Sequence, residues 1–230
     1  MRTIIIGDIH GCFAEWMCLL QKVQFNPEND RLILLGDLID RGKDSYSVYK
    51  KAVSLCEEMK ERCIILRGSH EKMLLDNSRK IKDRFLWNLV GKRTSIRSFI
   101  QNGESLYDNT KWFAENTVLY YETDTFRCVH AGIRHENLAK NDEHTLLMNH
   151  SLTRKNIYNG KLTITGHIHL KEPTWYDGSG GKGQKLQYHC YMPLPDHGII
   201  CLDTGCAEGN KLTAMVIQDN SYFLEYVYAI

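Results

Sequence analysis

Residues 3–11 read Thr-Ile-Ile-Ile-Gly-Asp-Ile-His-Gly, and residues 32–42 read Leu-Ile-Leu-Leu-Gly-Asp-Leu-Ile-Asp-Arg-Gly. Each is a short apolar run that breaks into a Gly-Asp turn, the pattern of a buried strand whose end carries polar chemistry. Four more runs share that length and character: Cys63 to Leu66, Phe126 to Val129, Leu162 to Thr165 and Ile199 to Leu202. Three of these again enter chemistry-bearing turns, Arg-Gly-Ser-His-Glu, His-Ala-Gly and Gly-His-Ile-His. Between the first two runs Phe13, Trp16, Met17, Leu20 and Val23 recur at helical spacing, as do Val48, Ala52, Leu55, Cys56 and Met59 before the third. Strand, helix, strand, helix, strand is an α/β pattern, with sites expected beyond the strand carboxyl ends. Periodicity alone draws a single open sheet.

The chain has 230 residues, 43% apolar and 25% charged, which suffices for one sizeable core and favours a single domain over 1–230. Its 29 basic and 28 acidic side chains leave a net charge of +1, which counts against a dedicated nucleic-acid or membrane-surface binder. No run approaches the ~18 apolar residues of a membrane span, and the start lacks a signal-peptide core. The eight cysteines include no Cys-x-x-Cys pair. They are therefore expected as reduced thiols of a cytoplasmic protein, with no spacing that supports zinc-thiolate binding.

Residues 72–116 read as helical, with Leu74, Leu75, Phe85, Leu86, Trp87, Leu89, Ile96, Phe99 and Ile100 expected to bury. Within Arg79 to Arg97 seven basic residues face one acid, Asp83, forming a solvated helix surface or a phosphate-attracting rim. Glycine-rich 170–197 is expected as a long loop or hairpin beside the site.

Asp8 and His10 lie two apart, so an extended chain points both to one side, half of a metal site. Asp37 ends the second strand likewise, and its two oxygens can bridge two cations. His130 and His167 end later strands and supply neutral nitrogen ligands, with His169 two residues further on. Mixed Asp and His ligands suit Mn²⁺, Fe or Zn²⁺ better than Ca²⁺ or Mg²⁺. Two divalent ions ~3.5–4 Å apart suit in-line displacement at phosphorus. Arg41 offers a planar fork for phosphate oxygens, and His70 is the candidate general acid with Asp40 placed to orient its imidazole.

These motifs resemble the phosphoprotein phosphatases within the calcineurin-like metallophosphoesterases. Gly-Asp-x-His-Gly matches at 7–11, Gly-Asp-x-x-Asp-Arg-Gly at 36–42 and Gly-Asn-His-Glu, with one change, at 68–71. With His-Ala-Gly at 130–132 and Gly-His at 166–167, the order looks most like the bacterial and phage enzymes of the bacteriophage lambda phosphatase type. The resemblance implies a two-sheet β-sandwich flanked by helices. It also implies Asp8, His10 and Asp37 on the first metal, and Asp37, His130 and His167 on the second. Arg41 would bind phosphate, and His70 with Asp40 would form the acid pair.

Three departures stand out. Ser69 replaces an Asn whose side-chain carbonyl ligates the second metal in the family, so a water fills the gap or that site weakens. The family's additional phosphate-binding Arg has no clear counterpart: His150 holds the nearest matching position, and Arg134 and Arg154 are nearby substitutes. Gly-His-Ile-His resembles the wider superfamily, in which the second His binds the first metal; His169 either completes that site or is an ordinary loop residue.

The expected function is a metal-dependent phosphomonoesterase acting on phosphoserine or phosphothreonine of proteins, or on small phosphoesters, through a metal-bridging hydroxide. The alternative substrate is a dinucleoside polyphosphate, since symmetrical bis(5'-nucleosyl)-tetraphosphatases resemble the same motifs. A further alternative is a phosphate-binding module disabled by Ser69.

Overall fold

The structure, a computed structural model, describes residues 1–76, 87–149, 153 and 155–230. The strands are β1 (Thr3–Ile6), β2 (Arg31–Leu34), β3 (Cys63–Ile65), β4 (Tyr120–Glu122), β5 (Arg127–Val129), β6 (Thr163–Thr165), β7 (Thr174–Tyr176), β8 (Gln184–Lys185), β9 (Met192–Pro193), β10 (Ile199–Cys201), β11 (Lys211–Gln218) and β12 (Ser221–Tyr228). The α-helices used below are α1 (Phe13–Lys22), α2 (Ser45–Met59), α3 (Ser69–Asp76), α4 (Lys92–Gln101), α5 (Thr110–Asn116) and α6 (Glu143–Met148).

Two mixed sheets pack face to face, ordered β3-β2-β1-β11-β12-β9 and β4-β5-β6-β10-β7-β8. The single open sheet suggested by periodicity is thus corrected. After the helical stretch, Leu66 bridges Val118, and the following strands β4, β5 and β6 pair among themselves. Strand runs show which segments pair locally but not how many sheets they make.

The sandwich explains why β1 is apolar on both faces. Ile4 and Ile6 turn outward onto Trp16, Leu19, Val48 and Ala52 of α1 and α2. Ile5 turns inward with Ile33, Ile64, Ile164 and Ile200 of both sheets. Alternation at period two therefore serves two cores. On the far side of the second sheet a smaller cluster of Val129, Ile133, Leu138 and Leu146 seats α6.

Trp87, Leu74 and Phe99 are buried as expected, but Leu89 and Ile100 are 68% and 66% exposed. Both therefore fall on the solvent side of their helical segments. Phe85, Leu86 and four of the seven basic residues of 79–97 lie outside the described residues. Lys92, from that segment, is buried with its ammonium 4.4 Å from the Trp87 ring centroid, so it does not lie on a solvated helix surface. The stretch 170–197 is not an unpaired loop: β7 and β8 form a hairpin in the second sheet, and β9 extends the first. No helix among the described residues is long and apolar enough to cross a membrane.

Candidate metal centre

The turns leaving β1, β2, β3, β5 and β6 converge at one end of the sandwich. The first two are tied directly: His10 N donates to Asp37 O at 2.8 Å, Gly11 N to Leu38 O at 2.9 Å and Gly42 N to His10 O at 2.9 Å. Reaching this geometry forces His10, Asp37, Asp40, Arg41 and His167 into positive φ, between 45° and 72°. L-residues rarely adopt that region, and such strain concentrates at functional sites. Glycine is required where the carboxylates are most crowded. A Cβ on Gly68 would lie 2.1 Å from Asp37 Oδ1, and one on Gly166 would lie 2.1 Å from Asp8 Oδ1.

Ligand-bearing side chains form overlapping groups, one of them His10, Asp37 and His70 and two others adjoining it. Asp8, His10 and His169 bring one donor atom each within 4.8 Å of one another, as do Asp37, His130 and His167. Asp37 faces both groups, its Oδ2 lying 3.6 Å from His10 Nε2 and 3.3 Å from His130 Nε2. Both of those nitrogens are buried and make no hydrogen bond.

The far side of each ring explains this. His10 Nδ1–H donates to Ile39 O and His130 Nδ1–H to Leu35 O, each at 2.8 Å. A carbonyl can only accept, so the proton sits on Nδ1 and the Nε2 lone pair points into the centre, the usual orientation of metal-ligating imidazole. Electrostatics agree at His10, whereas at His130 burial pulls downward but Asp37 prevails and raises the pKa. Burial, aided by the charge of His70, keeps His10 well below its usual range and therefore neutral. Burial, with Asp203 and Asp37 close by, pushes the Asp8 carboxyl well above its own. For Asp37 burial pulls upward, but the charges of His130 and His70 prevail and hold it low. Buried carboxylates facing two orphaned nitrogens make a donor set suited to a cation, and these residues fit the divalent ions that the motifs imply.

Ser69 begins α3, and its Oγ donates to Asp37 Oδ2 at 3.1 Å. His70 N donates to Asp37 Oδ1 at 2.8 Å, and His70 Nδ1 to Asp40 Oδ2 at 2.7 Å. Burial alone would lower the His70 pKa, but Asp37 and Asp40 outweigh it and raise it. Arg41 Nη1 donates to Glu208 Oε1 at 2.6 Å and lies 2.7 Å from His169 Nε2. His169 stands beside the first group, with its Nδ1 2.7 Å from Glu208 Oε2 and its Nε2 3.1 Å from Asp203 Oδ2. Arg134 is exposed, its backbone N–H on Asn141 and its charge acting on Asp142. Arg154 and His150 lie outside the described residues.

Several supporting residues carried no assigned role in the sequence. Glu71 is fully buried and accepts from the N–H groups of Asp37, Leu38 and Gly68, clamping the turn that carries Asp37. Burial beside Asp37 raises its pKa to about 7. Trp87 Nε1 and Ser95 Oγ both donate to Asp40, so its carboxylate is held on three sides. Glu71 falls within the third quoted motif, but nothing local marked Trp87 or Ser95, which meet Asp40 only through tertiary packing.

A model of the calcineurin-like phosphoesterase family matches residues 1–180. The symmetrical bis(5'-nucleosyl)-tetraphosphatase of Pseudomonas syringae pv. syringae is 30% identical over 179 residues, covering 77% of this chain and 57% of that protein. This chain therefore spans little more than half the length of that relative. The asymmetrical bis(5'-nucleosyl)-tetraphosphatase PrpE of Anoxybacillus flavithermus is 27% identical over 245 residues, covering 92% and 88% respectively. A metallophosphoesterase from Sphaerobacter thermophilus shares the fold, with a TM-score of 0.67 at 14% identity over 100% of this chain and 90% of that one.

Proposed function

The chain belongs to the calcineurin-like phosphoesterase family, and from that premise we propose that it is a metal-dependent hydrolase of dinucleoside polyphosphates, cleaving a phosphoanhydride by in-line attack of water. The relatives named as dinucleoside tetraphosphatases support this substrate over a phosphoprotein. The observation that carries the reaction class is Asp37, whose carboxylate faces the orphaned Nε2 atoms of His10 and His130 at once.

Asp8, His10, Asp37 and His169 would hold one ion, and Asp37, His130 and His167 the other, with Ser69 supporting Asp37. Their donor chemistry suits Mn²⁺, Fe or Zn²⁺. When bound, two such ions supply Lewis-acid polarisation of the phosphoryl oxygens and lower the pKa of the attacking water. The protein's own residues do the rest. Arg41, steadied by Glu208, presents its guanidinium to non-bridging phosphate oxygens. His70, kept protonated by Asp37 and Asp40, gives its proton to the departing phosphate oxygen as the P–O bond breaks.

The Asp40–His70 pair also favours a second reading, hydrolysis of phosphoserine or phosphothreonine, because an alkoxide leaving group needs that proton more than a phosphate does. Steady-state turnover of diadenosine tetraphosphate against a phosphoserine peptide, with Mn²⁺ supplied, separates the two. Preference for the nucleotide by at least ~100-fold is expected, and the reverse preference overturns the proposal. Products locate the cut: two ADP mark symmetrical cleavage, ATP with AMP asymmetrical.

A further inference from the structure

Outside the Asp and His cluster, the fold brings together two thiols and a carboxylate from opposite ends of the chain. Cys12 caps the start of α1, Glu15 lies one turn further on the same face, and Cys206 opens the short 3₁₀ turn Cys206–Glu208. Sγ of Cys12, a carboxylate oxygen of Glu15 and Sγ of Cys206 lie within 4.8 Å of one another, and all three residues are buried. They line a cavity of about 240 Å³ that Lys43 and Asp44 also bound. That cavity offers room for a solvent ligand.

We propose that Cys12, Glu15 and Cys206 form a third cation site, selective for a soft divalent ion such as Zn²⁺ and separate from the dinuclear centre. Two thiolates and a carboxylate supply three of the four positions of a tetrahedral ion, and a water from the cavity supplies the fourth. Zn–S bonds of about 2.3 Å place two sulfurs ~3.8 Å apart, so the side chains need to close by no more than ~1 Å. Binding releases both thiol protons to solvent. Thiolates reject Mn²⁺ and select Zn²⁺, which separates this site chemically from the Asp and His centre. Occupation would pin the turn that carries Glu208, the partner of Arg41, to the start of α1. The absence of a Cys-x-x-Cys motif concealed the site, because its sulfurs meet only in the folded chain.

Co²⁺ added to the reduced, metal-stripped full chain tests this through its thiolate-to-metal charge-transfer band, which Asp and His ligands do not give. The band is expected in the unaltered protein and in His130→Ala. It should be lost in the Cys12→Ser/Cys206→Ser double variant, weakened at least ~10-fold in affinity by Glu15→Gln, and discharged by Zn²⁺. The other close thiol pair, Cys56 and Cys63 with sulfurs 3.8 Å apart, has no third ligand among the described residues and provides the control. No band in the unaltered protein, a band that survives Cys12→Ser/Cys206→Ser, or one abolished by Cys56→Ser/Cys63→Ser overturns the site.

Discussion

Asp40 Oδ2 accepts a 2.7 Å hydrogen bond from His70 Nδ1, and both side chains are buried. That bond fixes the ring so that Nε2 carries the transferable proton. Trp87 donates to the same oxygen and Ser95 to the other, so Asp40 has little freedom to turn away.

Removing the acid should therefore slow turnover without emptying the centre. His70→Ala is expected to lower kcat by ~10²–10⁴-fold while the protein still binds two Mn²⁺. Trp87→Phe, which removes one donor to Asp40, should cost ~10-fold in kcat with KM little changed. Steady-state kinetics beside metal analysis decide this. Loss of metal from His70→Ala would mean that the imidazole is a ligand rather than an acid.

Replacing Ser69 by the family's Asn should tighten the ion on the Asp37, His130 and His167 side by ~10-fold or more, since an amide oxygen reaches further than a hydroxyl. Ser69→Ala, which removes only the donor to Asp37, should cost less than ~10-fold in turnover. Equilibrium titration of metal-stripped variants reads both. Unchanged affinity in Ser69→Asn would show that the position does not reach the ion.

The crowding at Gly68 and Gly166 predicts that a single methyl at either is disruptive. Gly68→Ala and Gly166→Ala should each lose at least ~100-fold in activity, because the new Cβ would fall 2.1 Å from a ligand oxygen. Gly181→Ala is the control, its Cβ meeting only the Ser179 hydroxyl at 3.4 Å. Comparable activity in all three variants would contradict the packing at the centre.

Metal removal should make stability depend on pH. Glu71 titrates at about 7 in the fold, above its usual value near 4.5, with burial as the largest cause and Asp37 next. Asp8, His70 and His130 are raised as well, while His10, held low by burial, opposes these four over the same range. A raised group favours the folded state most below its unfolded pKa, and that benefit is lost as pH rises through its folded pKa. The metal-stripped protein should therefore melt ~5–10 °C lower at pH 8 than at pH 5, and divalent metal should recover most of the loss. Calorimetry across that range checks the slope; stability that rises with pH in the stripped protein would contradict it.

Much of this was legible from residues read in order. Asp8, His10 and Asp37 announced themselves because strand ends and Gly-Asp turns are local features. The second sheet was implied by the family resemblance but not legible in periodicity, since β5, β6 and β10 look alike whichever sheet they join. The β11–β12 hairpin escaped notice although its turn, Asp219-Asn220 with φ of 49° and 59°, has the positive angles that a tight hairpin demands. Glu208 and Trp87 reach Arg41 and Asp40 across long stretches of chain, and no spacing rule finds such pairs.

The most direct test of the central claim is to titrate Mn²⁺ into the metal-stripped protein while following hydrolysis of diadenosine tetraphosphate. Turnover should be negligible without metal, rise and saturate at two ions per chain, and vanish in Asp37→Ala. Turnover that needs no metal, saturates at one ion, or survives the loss of Asp37 would contradict a dinuclear centre bridged by that carboxylate.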